Sequence, residues 1–229
     1  MAKAFSTMKT NVGNLLQDTS GATATLIGVW LNDGYQDAWA RCLWTSLVDD
    51  DFTFESVADQ AEYSLESDFG EDVALVRISD GVVLKRVQEK NWWDWYSAKY
   101  SDDEIDSGSP QRYVILEESS KIKLDPPPDE ANTYAFPYKK TVTDLSGDTD
   151  TVDIPRIEQY MEYRALSIGF AYKRKFQVSD SWNNRAEFEL QKRMKQERVK
   201  INQKYQYRPF HRTMSGIYRL MGDKSYDQI

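Results

Sequence analysis

The stretch DLSGDTDTVD (144–153) gathers four aspartates, and alternating carboxylates are what a calcium-binding loop needs. Its Gly147 precedes the Asp148/Asp150 pair, however, and no glutamate closes the loop where a calcium-binding hand requires one, so the segment reads as a solvated loop and helix cap. WWDWY (92–96) carries four rings in five residues, enough to stack unpaired bases. Stacking platforms sit in positive grooves, whereas here Asp94 lies inside the run and SDDEID follows, which favours packing of a short helix onto neighbouring strands. KRMKQERVK (192–200) could track phosphates, but such a run is more commonly a solvated helix face or a face that meets an acidic neighbour subunit.

Catalytic chemistry finds little to work with. The chain has no glycine-rich phosphate loop, no G-x-S-x-G elbow and no H-E-x-x-H. Its one histidine, His211, sits between Phe210 and Arg212 in an irregular tail, without the rigid surroundings a general base needs. Its one cysteine, Cys42, rules out an internal disulfide and any multi-cysteine metal site. With 37 acidic residues, adjacent carboxylates arise by chance. The expectation is a protein that is not an enzyme, with no catalytic, cofactor-binding or metal-binding residue and no cofactor. A hydrolase acting through surface carboxylates lacks any convergent motif.

The elements that would hold such residues fall into distinct regions. Residues 5–17 suggest a short helix, and from Thr23 to about Trp44 the apolar period is helical, with Ile27, Trp30, Leu31, Gly34, Ala38 and Cys42 on one stripe and Ser20 or Thr23 as the cap. The period then shortens to that of strands at 52–57, 61–65, 73–78, 82–87, 112–118 and 121–125, with SDG and ESS as turns. After PPP, the stretch TYAFPYK (133–139) reads as an edge strand because of its proline. Pro155 fits the first turn of a helix over 157–176, and Asp180 the cap of another running to about 205. On that last helix Trp182, Ala186, Leu190, Met194, Ile201 and Tyr205 make an apolar seam.

The first long helix must reach the late hairpin to bury its stripe. The fold class is therefore α+β: a helical bundle of one helix from the N-terminal half plus a C-terminal helical hairpin, an inserted small antiparallel β-sandwich or barrel, and an extended C-terminal arm. The expected regions are 1–48 for the N-terminal segment and first bundle helix, 49–150 for the β-module with its short helix, 151–205 for the hairpin and 206–229 for the arm.

A net charge of −8 conceals a division. From Ile154 onward there are 16 Lys+Arg against 8 Asp+Glu, whereas 1–153 holds 13 against 29. An acidic body of that size repels duplex DNA over about one Debye length, roughly 8 Å in physiological salt. A nucleic-acid-binding regulator using the helix at 180–205 is accordingly a secondary reading. No stretch approaches the roughly 18 apolar residues of a membrane span, and Met1–Leu16 lacks a signal peptide's apolar block, so the expectation is a cytoplasmic protein with no membrane partner.

The arm is aromatic, basic and broken by Pro209, Gly216 and Gly222. Extended at about 3.3 Å per residue it reaches roughly 80 Å, while a body of this size has a radius of gyration of about 17 Å. Tyr207, Phe210, Ile217, Tyr218 and Leu220 offer large apolar area, and Arg208, Arg212 and Arg219 offer forked donors, the residue types of interface hot spots. These eight residues are expected to order on a partner.

Three stretches together resemble the head-to-tail adaptor (connector) proteins of tailed bacteriophages. TLIGVWLNDGYQDAWARCLW (25–44) is similar to that family's W-[IL]-N-x-x-Y helix, FTFESVADQAEYSLESDFGE (52–71) to the strand pair that follows it, and 111–176 to the YVI…I-x-L-P-P hairpin and beyond. The likeness covers about residues 24–205 in matching order. Asp59 stands where the family tends to have glycine, and Glu66 where proline often follows the leucine.

The resemblance implies a structural virion protein that assembles in the host cytoplasm and resides in the neck, between the capsid portal and the tail. Its implied partners are the portal protein, a stopper or tail protein, and copies of itself in a ring, commonly of twelve. Genomic DNA would pass through the channel without specific binding. The eight arm residues would dock on the portal, and Arg185, Lys192, Arg193, Lys195 and Arg198 would contact the neighbouring subunit. A stopper or tail-completion protein of the same neck is the nearest alternative.

Overall fold

The computed structural model describes residues 2–93 and 107–206, with side chains as far as Ile201. The chain divides into a helical unit, Met1–Leu47 with Thr141–Tyr207, and a β-rich unit built from Val48–Lys140. The expected α+β arrangement is observed, with N-terminal helices, a central strand module and a C-terminal helical hairpin. The arm lies outside the described residues.

In the helical unit, α1 (Phe5–Leu16) buries Phe5, Met8, Val12 and Leu16, a spacing that places all four on one face. Gln17 ends the helix in the left-handed region at φ 53°, and the Asp18 N–H returns to the Gly13 carbonyl. Helix α2 (Gly21–Arg41) is capped by Ser20, whose hydroxyl accepts from the Thr23 N–H. Asp18 in turn accepts from the Ser20 N–H and hydroxyl, and these bonds, with Lys173 beyond them, hold its carboxyl down at about 2. The stripe read from the sequence is buried from Ile27 to Ala38 and gains Tyr35. Trp44 lies past the helix end with its indole N–H on the Ala38 carbonyl at 2.8 Å.

The hairpin differs from the sequence expectation at both starts. Helix α3 (Glu158–Tyr172) begins three residues beyond Pro155. Asp153 does not serve it as a cap, because its N–H donates to the Tyr35 hydroxyl and its carboxylate accepts from that same hydroxyl. Burial beside Asp153 pushes the Tyr35 phenol well above its ordinary value. Helix α4 (Phe176–Gln206) starts four residues before Asp180, which lies inside it. The break falls at 173–175, where Arg174 takes φ 57° and the Lys175 N–H returns to the Phe170 carbonyl. That closure is a left-handed cap made without glycine, so neither glycine nor proline marks it in the sequence.

Helices α1, α2 and α3 converge on α3's buried face, and α4 adds Ala186 and Leu190 to the same core. Glu158, Glu162 and Glu197 are the charged side chains enclosed with it among the described residues, and the last two tie elements together. Glu162 accepts two bonds from the Lys3 ammonium, at 2.8 and 2.9 Å, and one from the Asn11 amide at 2.8 Å, which ties α1 to α3. Glu197 interrupts the apolar seam of α4 and accepts from the Thr45 hydroxyl at 2.8 Å and the Thr45 N–H at 3.4 Å. A buried carboxylate persists only where donors meet it, and all three are met, Glu158 by the Lys3 N–H at 3.2 Å.

The β-rich unit holds eleven described strands in three small sheets. One runs β1 (Val48–Asp49), β11 (Tyr138–Lys140), β4 (Phe69–Asp72). A second runs β2 (Thr53–Glu55), β10 (Thr133–Ala135), β5 (Val76–Arg77), β6 (Val82–Val83). The third runs β3 (Glu62–Ser64), β9 (Lys121–Asp125), β8 (Arg112–Leu116), β7 (Lys85–Arg86). All pairs are antiparallel except β7 with β8, which departs from a purely antiparallel module. The turn at Ser79–Gly81 and the hairpin closed at Ser120 stand where SDG and ESS place them.

TYAFPYK is not an edge strand. Pro137 splits it into β10 and β11, each central in a different sheet, with the N–H-free residue at the crossover. The strands of 52–71 likewise separate, β2 joining β10 and β3 joining β9. Between the sheets lie Tyr63, Leu75, Tyr113, Ile122, Leu124, Tyr134 and Phe136. The Tyr113 hydroxyl donates to Asp72 at 2.6 Å, and Arg86 closes on the other Asp72 oxygen, so that buried carboxylate is matched on both sides.

Candidate docking interface

The segments singled out for chemistry resolve into structural duties. In the aspartate loop, Asp150 accepts from the Ser146 and Gly147 N–H groups at 2.8 and 2.7 Å, bonds that hold its carboxyl below the ordinary range. Asp148 pairs with Lys9 at 2.8 Å. These carboxylates brace the loop against α1, where the Phe5 and Ser6 N–H groups meet the Asp150 and Asp148 carbonyls. Among the described residues no group of three or more potential metal ligands converges. Of WWDWY, Trp92 is buried with Val114 and Leu116, and Trp93 is half exposed, while 94–96 lie outside the described residues.

The remaining candidate surface is the outward face of α4. Residues 181, 185, 188, 192, 195 and 199 recur at alternating spacings of four and three, which puts them on one side of the helix. All six are exposed, opposite the buried line of Ser179, Ala186, Leu190 and Glu197. Of the five residues expected to contact a neighbouring subunit, Arg185, Lys192 and Lys195 stand on this stripe. Arg198 is exposed to one side of it. Arg193 turns to the other flank, half-buried, and donates to the Gln196 side-chain oxygen Oε1 at 3.0 Å.

Sequence reading missed two apolar members of the stripe, Phe188 and Val199, which are 68% and 54% exposed between the cations. Their signal is the heptad-like spacing they share with Arg185, Lys192 and Lys195. Beside the stripe, the Arg185 guanidinium lies 4.7 Å from the Trp182 ring centre, and Trp182 packs at 5.3 Å on Tyr163. A shallow groove of 530 Å³ runs here between Tyr163, Ser181, Asn184, Arg185, Phe188 and Glu189. Three cations interspersed with exposed Phe188 and Val199, with Arg185 already stacked on Trp182, form a surface suited to protein contact and carry no nucleophile, base or ligand set.

The eight arm residues, Tyr207, Arg208, Phe210, Arg212, Ile217, Tyr218, Arg219 and Leu220, lie outside the described residues, as does His211.

A family model described as SU10 adaptor protein matches residues 3–212, a span that takes in α1 to α4 and the described strands β1 to β11. The chain belongs to the SU10 adaptor protein family. Its role is therefore that of a structural head-to-tail connector of a tailed bacteriophage, and it is not an enzyme. Membership implies portal and stopper or tail components as partners and the virion neck as location. Comparison with curated proteins gives no match. One departure from the adaptor pattern now has a physical account. Asp59 has φ 64°, the left-handed conformation that glycine adopts without cost and aspartate tolerates.

Proposed function

We propose that this adaptor forms a ring of its own copies, commonly twelve in the family, beneath the portal. There it links the portal to the stopper or tail and leaves a channel through which genomic DNA passes without specific binding. The arm docks on the portal, with Tyr207, Phe210, Ile217, Tyr218 and Leu220 buried and Arg208, Arg212 and Arg219 fixing register through carboxylate contacts. Around the ring, the stripe of Arg185, Lys192 and Lys195, flanked by Arg193 and Arg198, faces acidic surface of the next copy.

The observation that carries this reading is the family match over residues 3–212. The exposed stripe of Arg185, Lys192 and Lys195 with Phe188 and Val199 on α4 supports the assignment of the subunit contact. Truncation after Tyr205 tests the arm. The shortened chain should keep the melting temperature of the full chain yet lose co-purification with portal. Undiminished co-purification of a folded truncate contradicts the docking role.

A further inference from the structure

The elbow between α3 and α4 exposes more apolar surface than a helical turn needs. Tyr172 and Phe176 are 68% and 64% exposed, and Leu15 is 53% exposed next to Leu16, whose carbonyl holds the Lys173 ammonium at 3.0 Å. Lys173 spends its charge on Asp18 at 3.2 Å, whereas Arg174 and Lys175 stand exposed at the tip. The result is an aromatic patch with two outward cations, fixed in shape by the left-handed cap at Arg174. It lies immediately before the α4 stripe in the chain.

A surface of opposite character exists on the β-rich unit. Residues 48–140 carry 22 Asp+Glu against 10 Lys+Arg. Within them, two loops are joined into one knob: the Asp59 N–H donates to the Pro128 carbonyl at 2.7 Å, and the Ser56 hydroxyl donates to the Glu130 carbonyl while accepting from the Asn132 N–H. The knob presents Val57, 55% exposed, with Ala58 beside it, ringed by exposed Glu55, Asp59, Asp129 and Glu130. Apolar centre meets apolar centre and acidic rim meets basic rim. Such complementary but different patches make a head-to-tail contact, which closes into a ring when the rotation allows.

We propose that the acidic knob of one copy seats on the aromatic, basic elbow of a second copy of this chain. The contact rests on the ring reading above and names the surfaces that would meet in it.

The test uses the full chain in a Cys42→Ser background. One preparation carries Arg174→Cys and another Glu130→Cys, and both are mixed with portal and treated with a short bis-maleimide. The expected result is a disulfide-independent dimer of one chain of each kind, absent when either cysteine is omitted. Arg174→Glu with Lys175→Glu should weaken self-association about tenfold by light scattering, and Asp129→Lys with Glu130→Lys in the same chain should restore it. Unchanged melting curves establish that these exposed substitutions leave the fold intact. Rings that form on portal without this cross-link overturn the proposal and leave the adaptor reading standing. Cross-linking of Arg174→Cys to portal or to a tail protein instead of a second copy also overturns it. Absence of any ring overturns both.

Discussion

Two buried helical glycines should respond differently to the same substitution. A Cβ added at Gly34 in α2 would lie 3.5 Å from Arg164 Cβ and Cγ and from Met161 Cα, which is ordinary contact. A Cβ at Gly169 in α3 would lie 2.8 and 3.0 Å from the two Leu16 methyls and 3.0 Å from Trp30 Cζ3. Replacing glycine by alanine inside a helix gains about 1 kcal/mol of helix propensity at either place. Nothing opposes that gain at Gly34, so Gly34→Ala should stabilise by up to about 1 kcal/mol.

At Gly169 the methyl enters the junction of α1, α2 and α3. Leu16 is 4% exposed, so its methyls can shift only against packed neighbours, and the Trp30 ring is rigid. Overpacking of this kind costs about 1–3 kcal/mol. Set against the same propensity gain, Gly169→Ala should be neutral to about 2 kcal/mol destabilising. The two variants then differ by about 1–3 kcal/mol, or roughly 2–12 °C in melting temperature for a chain of this length. Thermal unfolding of the two full-length variants by circular dichroism reads the difference. Equal upward shifts would refute the tight junction at Gly169.

Other consequences can be checked singly. Glu197→Ala strands the Thr45 N–H and hydroxyl and should lower stability by about 1–3 kcal/mol in urea unfolding, and an unmoved midpoint contradicts that anchoring. Asp18 has its folded-state pKa lowered from 3.8 to about 2, so its contribution is present above pH 4 and lost as pH falls toward 2. Asp18→Asn should therefore flatten the melting temperature between pH 4 and 2, and an unchanged acid slope argues against the Ser20–Asp18–Lys173 bonding. Asp59→Gly should hold stability, whereas Asp59→Val, forced to φ 64°, should lose about 1–2 kcal/mol by differential scanning calorimetry. Equal losses in both would mean the left-handed backbone is not what the position demands.

Legibility in the sequence followed the range of the interaction. Local periodicity located the buried stripe of α2, and local turn residues located the hairpins at 79–81 and 117–120, because neighbours in the chain determine those features. Sheet membership depended on pairing across distances that no period reveals, so β2 with β10 and β3 with β9 were out of reach. A proline's missing N–H suggests an edge strand, yet at Pro137 that lack falls between β10 and β11 and lets one stretch serve two sheets. The break between the hairpin helices is legible but falls about four residues earlier than Asp180 suggests, because Arg174 occupies a conformation usually betrayed by glycine. At the docking face the cations could be named from the sequence. Phe188 and Val199 fall off the apolar seam of Trp182, Ala186, Leu190 and Met194, and only their shared spacing with the cations marks them as part of the exposed face.

The central claim is that copies of this chain assemble on the portal through surfaces they carry as folded monomers. Electron microscopy of the full chain mixed with purified portal examines it directly. The account predicts an additional ring of density coaxial with the portal and in contact with it. Portal particles that remain bare at saturating concentrations of folded protein would contradict it.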